Sequence, residues 1–216
     1  MKRLLFTILT LSIGACMPRY ISRAYHGQPW QVQSIPGKIE CEFYDKGGEG
    51  VAYHDTDSIN NGSGKLNPAN GNYLNEFRMK EGVDISYTKT KDIDNNPFNK
   101  HEPEMNQLYV GWTKPGEWIR YVAQVKETSN YRIALMYTAN GDGVISIDVD
   151  NTPVTGPLNI LSTHNDADTV AWRQWHHWNK TDSLTTIHLK KGKHLLTLHV
   201  VENGNMNFDY VEFLKD

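Results

Sequence analysis

Two glutamates near the start of the chain are spaced so that they could bind a cation. Glu40 and Glu42 are separated by one residue in the alternating sequence IECEFY. In a β-strand this spacing places both carboxylates on one face, about 7 Å apart along the strand. Calcium binds oxygen ligands at about 2.3–2.6 Å, so one ion could be shared by the two side chains. The alternative interpretation is a solvated Glu-x-Glu pair on an outer strand face.

Tryptophan is the second residue type that suggests a site. The chain has 6 Trp and 11 Tyr, and an aromatic ring can either fill a core or offer a flat apolar face to a ligand. Trp112 and Trp172 belong to segments that enter or leave loops, which favours an exposed position. Trp118 and Trp175 are the candidates for the core.

From residue 38 onward the chain consists of short alternating segments separated by turn sequences. Alternation of apolar and polar residues indicates strands, and sequences such as NGDG at 140–143 and NGN at 203–205 are typical of turns. No segment has a sustained helical period. The pattern predicts an all-β domain, either a sandwich or a barrel. Two long polar stretches, residues 45–75 and 89–107, are predicted to be loops that are either functional or disordered, and the second is a candidate for a mobile segment.

The N-terminus is predicted to be an export signal rather than part of the fold. Lys2 and Arg3 precede a short apolar run that ends in the sequence IGAC, and the run is too short to span a bilayer. Small residues before Cys16 resemble the lipobox of bacterial lipoproteins, in which this cysteine is acylated; the alternative is an ordinary secretory signal. We therefore expect a signal peptide at 1–15, an anchor and tether at 16–34, and a domain at 35–216. Cys41 is expected to be a core residue without a disulfide.

Composition excludes several classes of function. The formal net charge is -3 and no cluster of Lys and Arg is present, which argues against binding to nucleic acid or an anionic membrane surface. The sequence contains neither G-x-S-x-G nor H-E-x-x-H. A glycosidase would need two carboxylates across a cleft, and the candidates lie in turn-like sequences; they are Glu117, Asp142, Asp166 and Asp168. The chain is therefore predicted not to be an enzyme.

A zinc site formed by histidines is a further alternative. His176 and His177 are adjacent in the sequence, and successive side chains on a strand point to opposite faces. The two imidazoles therefore cannot easily share one ion with His164. All three are interpreted as solvated residues of a loop or rim.

Seven sequence blocks, in order between residues 39 and 214, resemble the family 6 carbohydrate-binding modules. The blocks are IECEFYDKGGEGVAYHDTD, EGVDI, VGWTKPGEWIRY, VTGPL, WRQW, KKGKHLLTLHV and NMNFDYVEF. The first two are most similar to modules found beside agarases and other hydrolases of marine polysaccharides. The resemblance implies a β-sandwich of the jelly-roll type that binds sugar without catalysis.

The resemblance also implies the residues of the site. Two aromatic side chains of the family clamp a sugar and an asparagine hydrogen-bonds it; the matching positions are Trp112, Trp172 and Asn207. Glu49 is a further candidate acceptor for a sugar hydroxyl. Residues 89–107 are longer than the family pattern before VGW, and could cover or reshape this site.

For the cation, the resemblance implies a structural calcium. The family's Glu-x-Glu pair is joined by a residue near the C-terminus, which corresponds here to Asp209. The predicted metal ligands are therefore Glu40, Glu42 and Asp209. Simple alternation would place Asp209 on the same face as Val211 and Phe213, so the ion is expected at a sheet edge.

The sequence thus predicts an exported, lipid-anchored protein that binds polysaccharide at the cell envelope. Its partners would be a polysaccharide or oligosaccharide, the membrane through the lipid anchor, and glycoside hydrolases. The alternative functions are an accessory to a glycoside hydrolase, or a structural protein of the cell surface without a free glycan ligand.

Overall fold

The computed structural model describes residues 25–216, which contain fourteen strands, one short α-helix and two 3-10 turns. The helix α1 covers Tyr73–Glu76, and the 3-10 turns cover Cys41–Phe43 and Ala171–Arg173. The strands are β1 (Gln33–Ile35), β2 (Gly37–Glu40), β3 (Tyr53–His54), β4 (Ile85–Tyr87), β5 (Leu108–Val110), β6 (Trp118–Val125), β7 (Ser129–Ala139), β8 (Gly143–Val149), β9 (Thr152–Pro153), β10 (Leu158–Ile160), β11 (Asn179–Lys180), β12 (Thr185–Leu189), β13 (Gly192–Glu202) and β14 (Met206–Lys215).

The strands form two facing sheets, which confirms the predicted β-sandwich. The first sheet has the order β1-β6-β13-β8-β10, with β3 beside β6 and β9 beside β8. The second has the order β11-β7-β14-β5-β4, with β12 beside β7 and β2 beside β14. All pairs are antiparallel except that of β1 with β6. Several neighbouring strands, such as β6 and β13 or β5 and β14, are far apart in the sequence, as in jelly-roll connections.

The core lies between the sheets and follows from the two-residue period of the strands. In β8, for example, Ile145, Ile147 and Val149 are buried, whereas the residues between them are partly exposed. From the opposite sheet, Leu135 of β7 and Phe213 of β14 are also buried in the same cluster. Apolar contact between the two inner faces therefore stabilises the sandwich and fixes the positions of the strand ends.

The predicted strand at residues 39–44 is shorter than expected. Strand β2 ends at Glu40, and Cys41–Phe43 form a 3-10 turn. The turn is required because the segment crosses between sheets: Glu40 pairs with Tyr210 of β14, whereas the Asp45 amide donates to the Arg120 carbonyl of β6. Cys41 is buried, as predicted, and its thiol is free within residues 25–216.

The structured part of the chain begins before residue 35. Gln33 and Ser34 already belong to β1, and the ring of Trp30 packs edge-on against Phe77 at 5.1 Å. The predicted signal peptide and Cys16 lie outside the described residues. Between residues 25 and 216, no helix is long and apolar enough to cross a membrane.

The buried tryptophan is not one of the two that were predicted for the core. Trp118 and Trp175 are only partly buried, and the fully buried tryptophan is Trp178, at 0% exposure. Alternation explains Trp118, since Ile119 beside it points into the core and Trp118 therefore faces outward. Trp178 can be buried because its indole N–H donates to the Asp94 carboxylate at 2.8 Å.

Residues 89–107, predicted as a loop, contain no strand or helix but are packed onto the domain. Asp94 and Asn96 are each only 1% exposed. The amides of Lys100 and His101 both donate to the Trp178 carbonyl. The segment therefore covers the part of the sandwich around Trp178.

Candidate functional site

An open cleft lies at one end of the sandwich where three connections meet. Its walls come from residues 112–115 between β5 and β6, residues 140–141 between β7 and β8, and residues 203–205 between β13 and β14. Its volume is about 570 Å³, which is within the range of small-molecule sites. We call it the asparagine cleft, because Asn140, Asn203 and Asn205 line it beside Trp112.

Main-chain hydrogen bonds hold the three connections together. Thr113 N–H donates to the Met206 carbonyl at 3.2 Å, and Asn140 N–H donates to the Asn205 carbonyl at 3.2 Å. Asn205 N–H in turn donates to the Thr113 carbonyl. A Cβ atom on Gly204 would lie 2.0 Å from this carbonyl oxygen, so only glycine fits there. The cleft is therefore a preformed feature of the fold.

The asparagine cleft combines an aromatic wall with uncharged polar groups. Lys114 is the charged residue of its walls, and its ammonium lies 2.5 Å from the Asp57 carboxylate. Trp112 is partly exposed. Such a surface suits a ligand that has both an apolar face and hydroxyl groups, because the indole covers the face and amides pair with the hydroxyls.

Trp112 has an unusual backbone conformation. Its φ is 48°, in the left-handed region that costs a residue with a side chain roughly 1–2 kcal/mol. Its N–H donates to Oδ1 of Asn207 at 2.9 Å. This hydrogen bond constrains the main chain of Trp112 and therefore the direction of its Cα–Cβ bond.

Asn207, predicted to bind the sugar directly, is 0% exposed. Its Nδ2 donates to Oγ1 of Thr138 at 2.9 Å and lies 3.0 Å from Nδ1 of His176. All of these partners are protein groups behind the Trp112 main chain. The direct contact with sugar stays a prediction, and the observed contact of Asn207 on this side is its hydrogen bond from the Trp112 N–H.

Trp172 lies in the 3-10 turn Ala171–Arg173 and is 57% exposed. The turn is anchored by Arg173, whose guanidinium donates to both carboxylate oxygens of Asp168 at 2.6 and 2.9 Å. These hydrogen bonds hold the pKa of Asp168 below its usual range. Within the described part of the chain, Trp172 is not among the residues that line the asparagine cleft. Its segment reaches Trp112 through His176 and Asn207.

Glu49 is exposed and belongs to a separate group of residues. Its carboxylate is 2.5 Å from Nδ1 of His54 and accepts from the Asp55 N–H at 3.1 Å. Glu49 does not line the asparagine cleft as the structure describes it. Its predicted contact with a sugar hydroxyl stays a prediction.

The expectation that His176 and His177 are solvated is wrong. Both are buried, and their imidazoles are bound to carboxylates: Nε2 of His176 lies 2.7 Å from Asp94, and Nε2 of His177 lies 3.0 Å from Asp168. The error came from treating this segment as a surface loop, whereas residues 89–107 cover it. His164 is exposed, as expected, and its Nε2 is 2.8 Å from the Asp166 carboxylate.

The three predicted metal ligands lie at or next to the pairing of β2 with β14, and the charge of Glu40 acts on both Glu42 and Asp209. Glu40 ends β2 and pairs with Tyr210, and the register of β14 shifts between Phe208 and Tyr210. This β-bulge changes the direction of the Asp209 side chain. Asp209 therefore need not point to the same face as Val211 and Phe213, as regular alternation would require. Four carboxylate oxygens are buried without a hydrogen-bond partner: one of Glu40, both of Glu42 and one of Asp209.

Burial and mutual repulsion perturb these carboxyl groups. Desolvation raises the pKa of Glu40 to about 7, and desolvation followed by the charge of Glu40 raises that of Asp209 to about 8. The pKa of Glu42 is raised well above its ordinary value, chiefly by desolvation. Buried, unpaired carboxyl groups are costly, so native structures normally provide a partner for them.

The donor set fits calcium in part. Between residues 25 and 216, no three His, Cys, Asp or Glu side chains are placed to hold one metal ion together. Calcium also takes main-chain carbonyls and water as ligands, so it does not need three side chains that converge. Hard carboxylate oxygens without a partner are the ligands it prefers. The unsatisfied oxygens of Glu40, Glu42 and Asp209 are therefore compatible with a calcium site.

The asparagines of the cleft were not recognised from the sequence as site residues. Asn140, Asn203 and Asn205 were interpreted only as turn residues between strands. No local signal distinguishes them from the asparagines of other turns. Which strand ends meet depends on sheet order, which a local pattern does not give.

The sequence profile of the carbohydrate binding module (family 6) matches residues 84–215. This range covers more than half of the chain and includes Trp112, Trp172 and Asn207. Members of this family are non-catalytic binding modules. No curated protein sequence matches the chain significantly.

Solved structures that are similar to this chain include two family 6 modules and one enzyme. A family 6 module from Clostridium stercorarium in complex with cellobiose is 12% identical, with a TM-score of 0.49 over 86% of this chain and 98% of that chain. A family 43 arabinoxylan arabinofuranohydrolase from Bacillus subtilis, in complex with cellotetraose, is 14% identical with a TM-score of 0.49, over 86% and 28%. The C-terminal family 6 module of a marine laminarinase from Zobellia galactanivorans is 20% identical, with a TM-score of 0.40 over 60% and 94%.

Proposed function

Because the chain belongs to the family 6 carbohydrate-binding modules, we propose that its asparagine cleft binds a polysaccharide or oligosaccharide without cleaving it. The observation that carries this proposal is the position of Trp112 in the wall of the cleft. A pyranose ring has an apolar face of C–H groups, which can stack on the indole. Its hydroxyls can pair with the polar groups opposite.

The polar partners in this proposal are the cleft asparagines. An amide offers both donors and an acceptor. The cleft asparagines can therefore form hydrogen bonds with hydroxyls that donate and with hydroxyls that accept; they are Asn140, Asn203 and Asn205. Since Lys114 is already paired with Asp57, the ligand is expected to be uncharged at this point. Trp172 and Glu49 would contact a longer ligand outside the cleft.

A structural calcium ion forms the second part of the proposal. Glu40, Glu42 and Asp209 would hold it, since four of their oxygens are buried without a partner. The ion would offset most of the negative charge of three carboxylates where β2 joins β14, and so stabilise that corner of the sandwich. It has no direct part in sugar recognition.

We further propose that the protein is exported and lipid-anchored, and that it supports glycan capture or degradation beside glycoside hydrolases. The support is the sequence IGAC before residue 17. Several acyl chains on Cys16 would give lasting attachment, because each buried CH2 contributes about 0.8 kcal/mol.

Replacing Cys16 by serine tests the anchor. The wild-type protein, expressed in a bacterial host with lipoprotein processing, should be found in the membrane fraction. Cys16→Ser should release it to the soluble fraction of the envelope, since no acyl chain can be attached. Fractionation with immunodetection measures this, and equal distribution of both proteins would contradict the anchor.

Removal of the Trp112 indole tests the glycan proposal. Trp112→Ala should weaken binding by about 30-fold or more, because central aromatic anchors contribute at least about 2 kcal/mol. Retention on a panel of neutral and acidic polysaccharides identifies the ligand, and titration calorimetry measures the affinity. The wild-type protein should release no reducing ends from any of them.

Two further tryptophans make this test specific. Trp118 lies on the outer face of β6, under the Arg120 guanidinium at 4.3 Å, and Trp118→Ala should bind like the wild type. Trp172→Ala should lower the affinity for long oligosaccharides more than the affinity for short ones. Loss of binding in Trp118→Ala with retention in Trp112→Ala would place the site on the sheet face and refute the proposal.

A further inference from the structure

We infer that Asp94, His176 and Asn207 form a positioning triad that holds Trp112 in its binding conformation. The inference rests on the proposed function, since Trp112 is the platform of the asparagine cleft. Through Asp94, residues 89–107 would then affect glycan affinity, although Asp94 is buried and does not line the cleft. The three side chains are positioning residues, because they act through the Trp112 main chain.

The outer member of the triad is Asp94. One of its carboxylate oxygens lies 2.7 Å from Nε2 of His176 and accepts the Trp178 indole N–H at 2.8 Å. The other accepts the Lys89 N–H at 2.6 Å. A carboxylate can only accept here, so Nε2 of His176 must carry its proton. Asp94 therefore fixes which nitrogen of the imidazole is the donor.

The protonation of His176 in turn determines the orientation of the Asn207 amide. With its proton on Nε2, a neutral imidazole has an acceptor at Nδ1, which lies 3.0 Å from Nδ2 of Asn207. The amide therefore turns its oxygen the other way, where it accepts the Trp112 N–H at 2.9 Å. A flipped amide would set its NH2 against the Trp112 N–H, two donors facing each other. Each hydrogen bond of the triad thus determines the next.

The surroundings leave the triad little freedom. Asp94, His176 and Asn207 are all buried, and the imidazole lies among three aromatic rings. The centroids of Tyr109 and Trp178 are 5.9 and 5.7 Å from it, and that of Trp175 is 5.6 Å away. The charged groups near it are the Asp94 carboxylate and, beyond that carboxylate, the Lys89 ammonium, whose pKa is lowered chiefly by burial.

Trp112 needs this support because of its own conformation. Its φ of 48° is unfavourable for a residue with a side chain. The residue before it also approaches Asn207 closely: a Cβ on Gly111 would lie 3.1 Å from Oδ1 of Asn207, so a side chain there would press on this amide. Loss of the Asn207 bond would let the main chain relax, which would move the indole in the cleft wall.

The test uses three variants of the full-length protein. His176→Leu fills the space among the aromatic rings but removes both hydrogen bonds, and is expected to lower glycan affinity about tenfold. His176→Gln keeps one donor and one acceptor, and should restore affinity to near the wild-type value. The matched control is His194→Leu, because His194 is a buried histidine bound to a carboxylate, Asp150, at 2.7 Å in another part of the sandwich; it should lower the melting temperature but not the affinity.

A second readout does not depend on glycan binding. The amide resonance of Trp112 in the unliganded protein should shift in His176→Leu, return in His176→Gln and stay unchanged in His194→Leu. If the wild type binds no glycan, the proposed function fails, yet this resonance still tests the triad. If His176→Leu does not fold, Asp94→Ala replaces it with the same expectations.

An unchanged Trp112 resonance together with an unchanged affinity in the folded variant would overturn the inference. A resonance shift without loss of affinity would overturn its functional part, because glycan binding would then not depend on the conformation that the triad gives Trp112. Equal loss of affinity in His194→Leu would also contradict it, since the effect would follow stability alone.

Discussion

Calcium should raise the melting temperature of the metal-free protein by about 5–10 °C. Calcium at a free concentration about 100 times its dissociation constant stabilises the folded state by about 2.7 kcal/mol. Each kcal/mol raises the melting temperature by about 2–4 °C for a chain of this size. The reason is that buried oxygens of Glu40, Glu42 and Asp209 have no protein partner. Calorimetry or fluorescence melting in chelator, then in calcium, measures the shift.

The effect of calcium should increase with pH. In the metal-free protein, burial raises the pKa of Glu40 to about 7 and that of Asp209 to about 8. Both folded-state values lie above those of the unfolded chain, so the folded state binds more protons over this range and loses stability as pH rises from about 5 to about 8. The melting temperature in chelator should therefore fall by several degrees, whereas calcium should suppress the fall.

Glu42→Gln is the matched control for the calcium experiment. The amide imitates a protonated carboxyl group, so this variant should melt in chelator at least as high as the wild type. It should gain little from calcium, because one charged ligand is lost. Magnesium should act weakly on either protein, since it prefers near-ideal octahedral geometry. An identical melting temperature of the wild type in chelator and in calcium would contradict the site.

Gly204→Ala should disrupt the asparagine cleft. A Cβ at this position would lie 2.0 Å from the Thr113 carbonyl oxygen and 2.5 Å from the Lys114 Cα, both main-chain atoms that cannot rotate away. The connections around residues 113 and 204 must separate, which breaks the hydrogen bonds between them. We expect the melting temperature to fall by about 5 °C or more, since overpacking costs about 1–3 kcal/mol. Glycan affinity should fall at least about tenfold, because Trp112 precedes Thr113.

Gly141→Ala is the control for this prediction. Gly141 also lines the cleft, but a Cβ there would meet no atom within 4 Å. Its melting temperature should match that of the wild type, as measured by the same thermal scan. If Gly204→Ala melted and bound like the wild type, the close contact between the two connections would be wrong.

Much of the architecture could be predicted because it depends on local alternation. Strand β8 shows this: its apolar residues at every second position are the buried ones, and this period alone indicates a strand with one inner face. The same rule failed at residues 41–43, where the chain crosses between sheets. Alternation cannot distinguish a strand from a buried turn, because Cys41 and Glu42 are both buried in the 3-10 turn.

The candidate site could be predicted only in outline. Trp112 was identified through a resemblance in sequence, and the structure places it in the wall of a cleft. The bonds of Asn207 could not be foreseen, since its partner His176 lies 31 positions away and depends on Asp94 in a segment without regular structure. Such contacts arise from tertiary packing, for which a single sequence has no local signal.

Glycan titration followed by amide and indole NMR resonances tests the central claim most directly. With an oligosaccharide taken from a polysaccharide that the protein retains, the largest shifts should belong to residues 112–115, 140–141 and 203–205, and to the indole of Trp112. Shifts concentrated instead on the outer sheet face around Trp118 and Arg120, with the Trp112 indole unchanged, would contradict binding in the asparagine cleft.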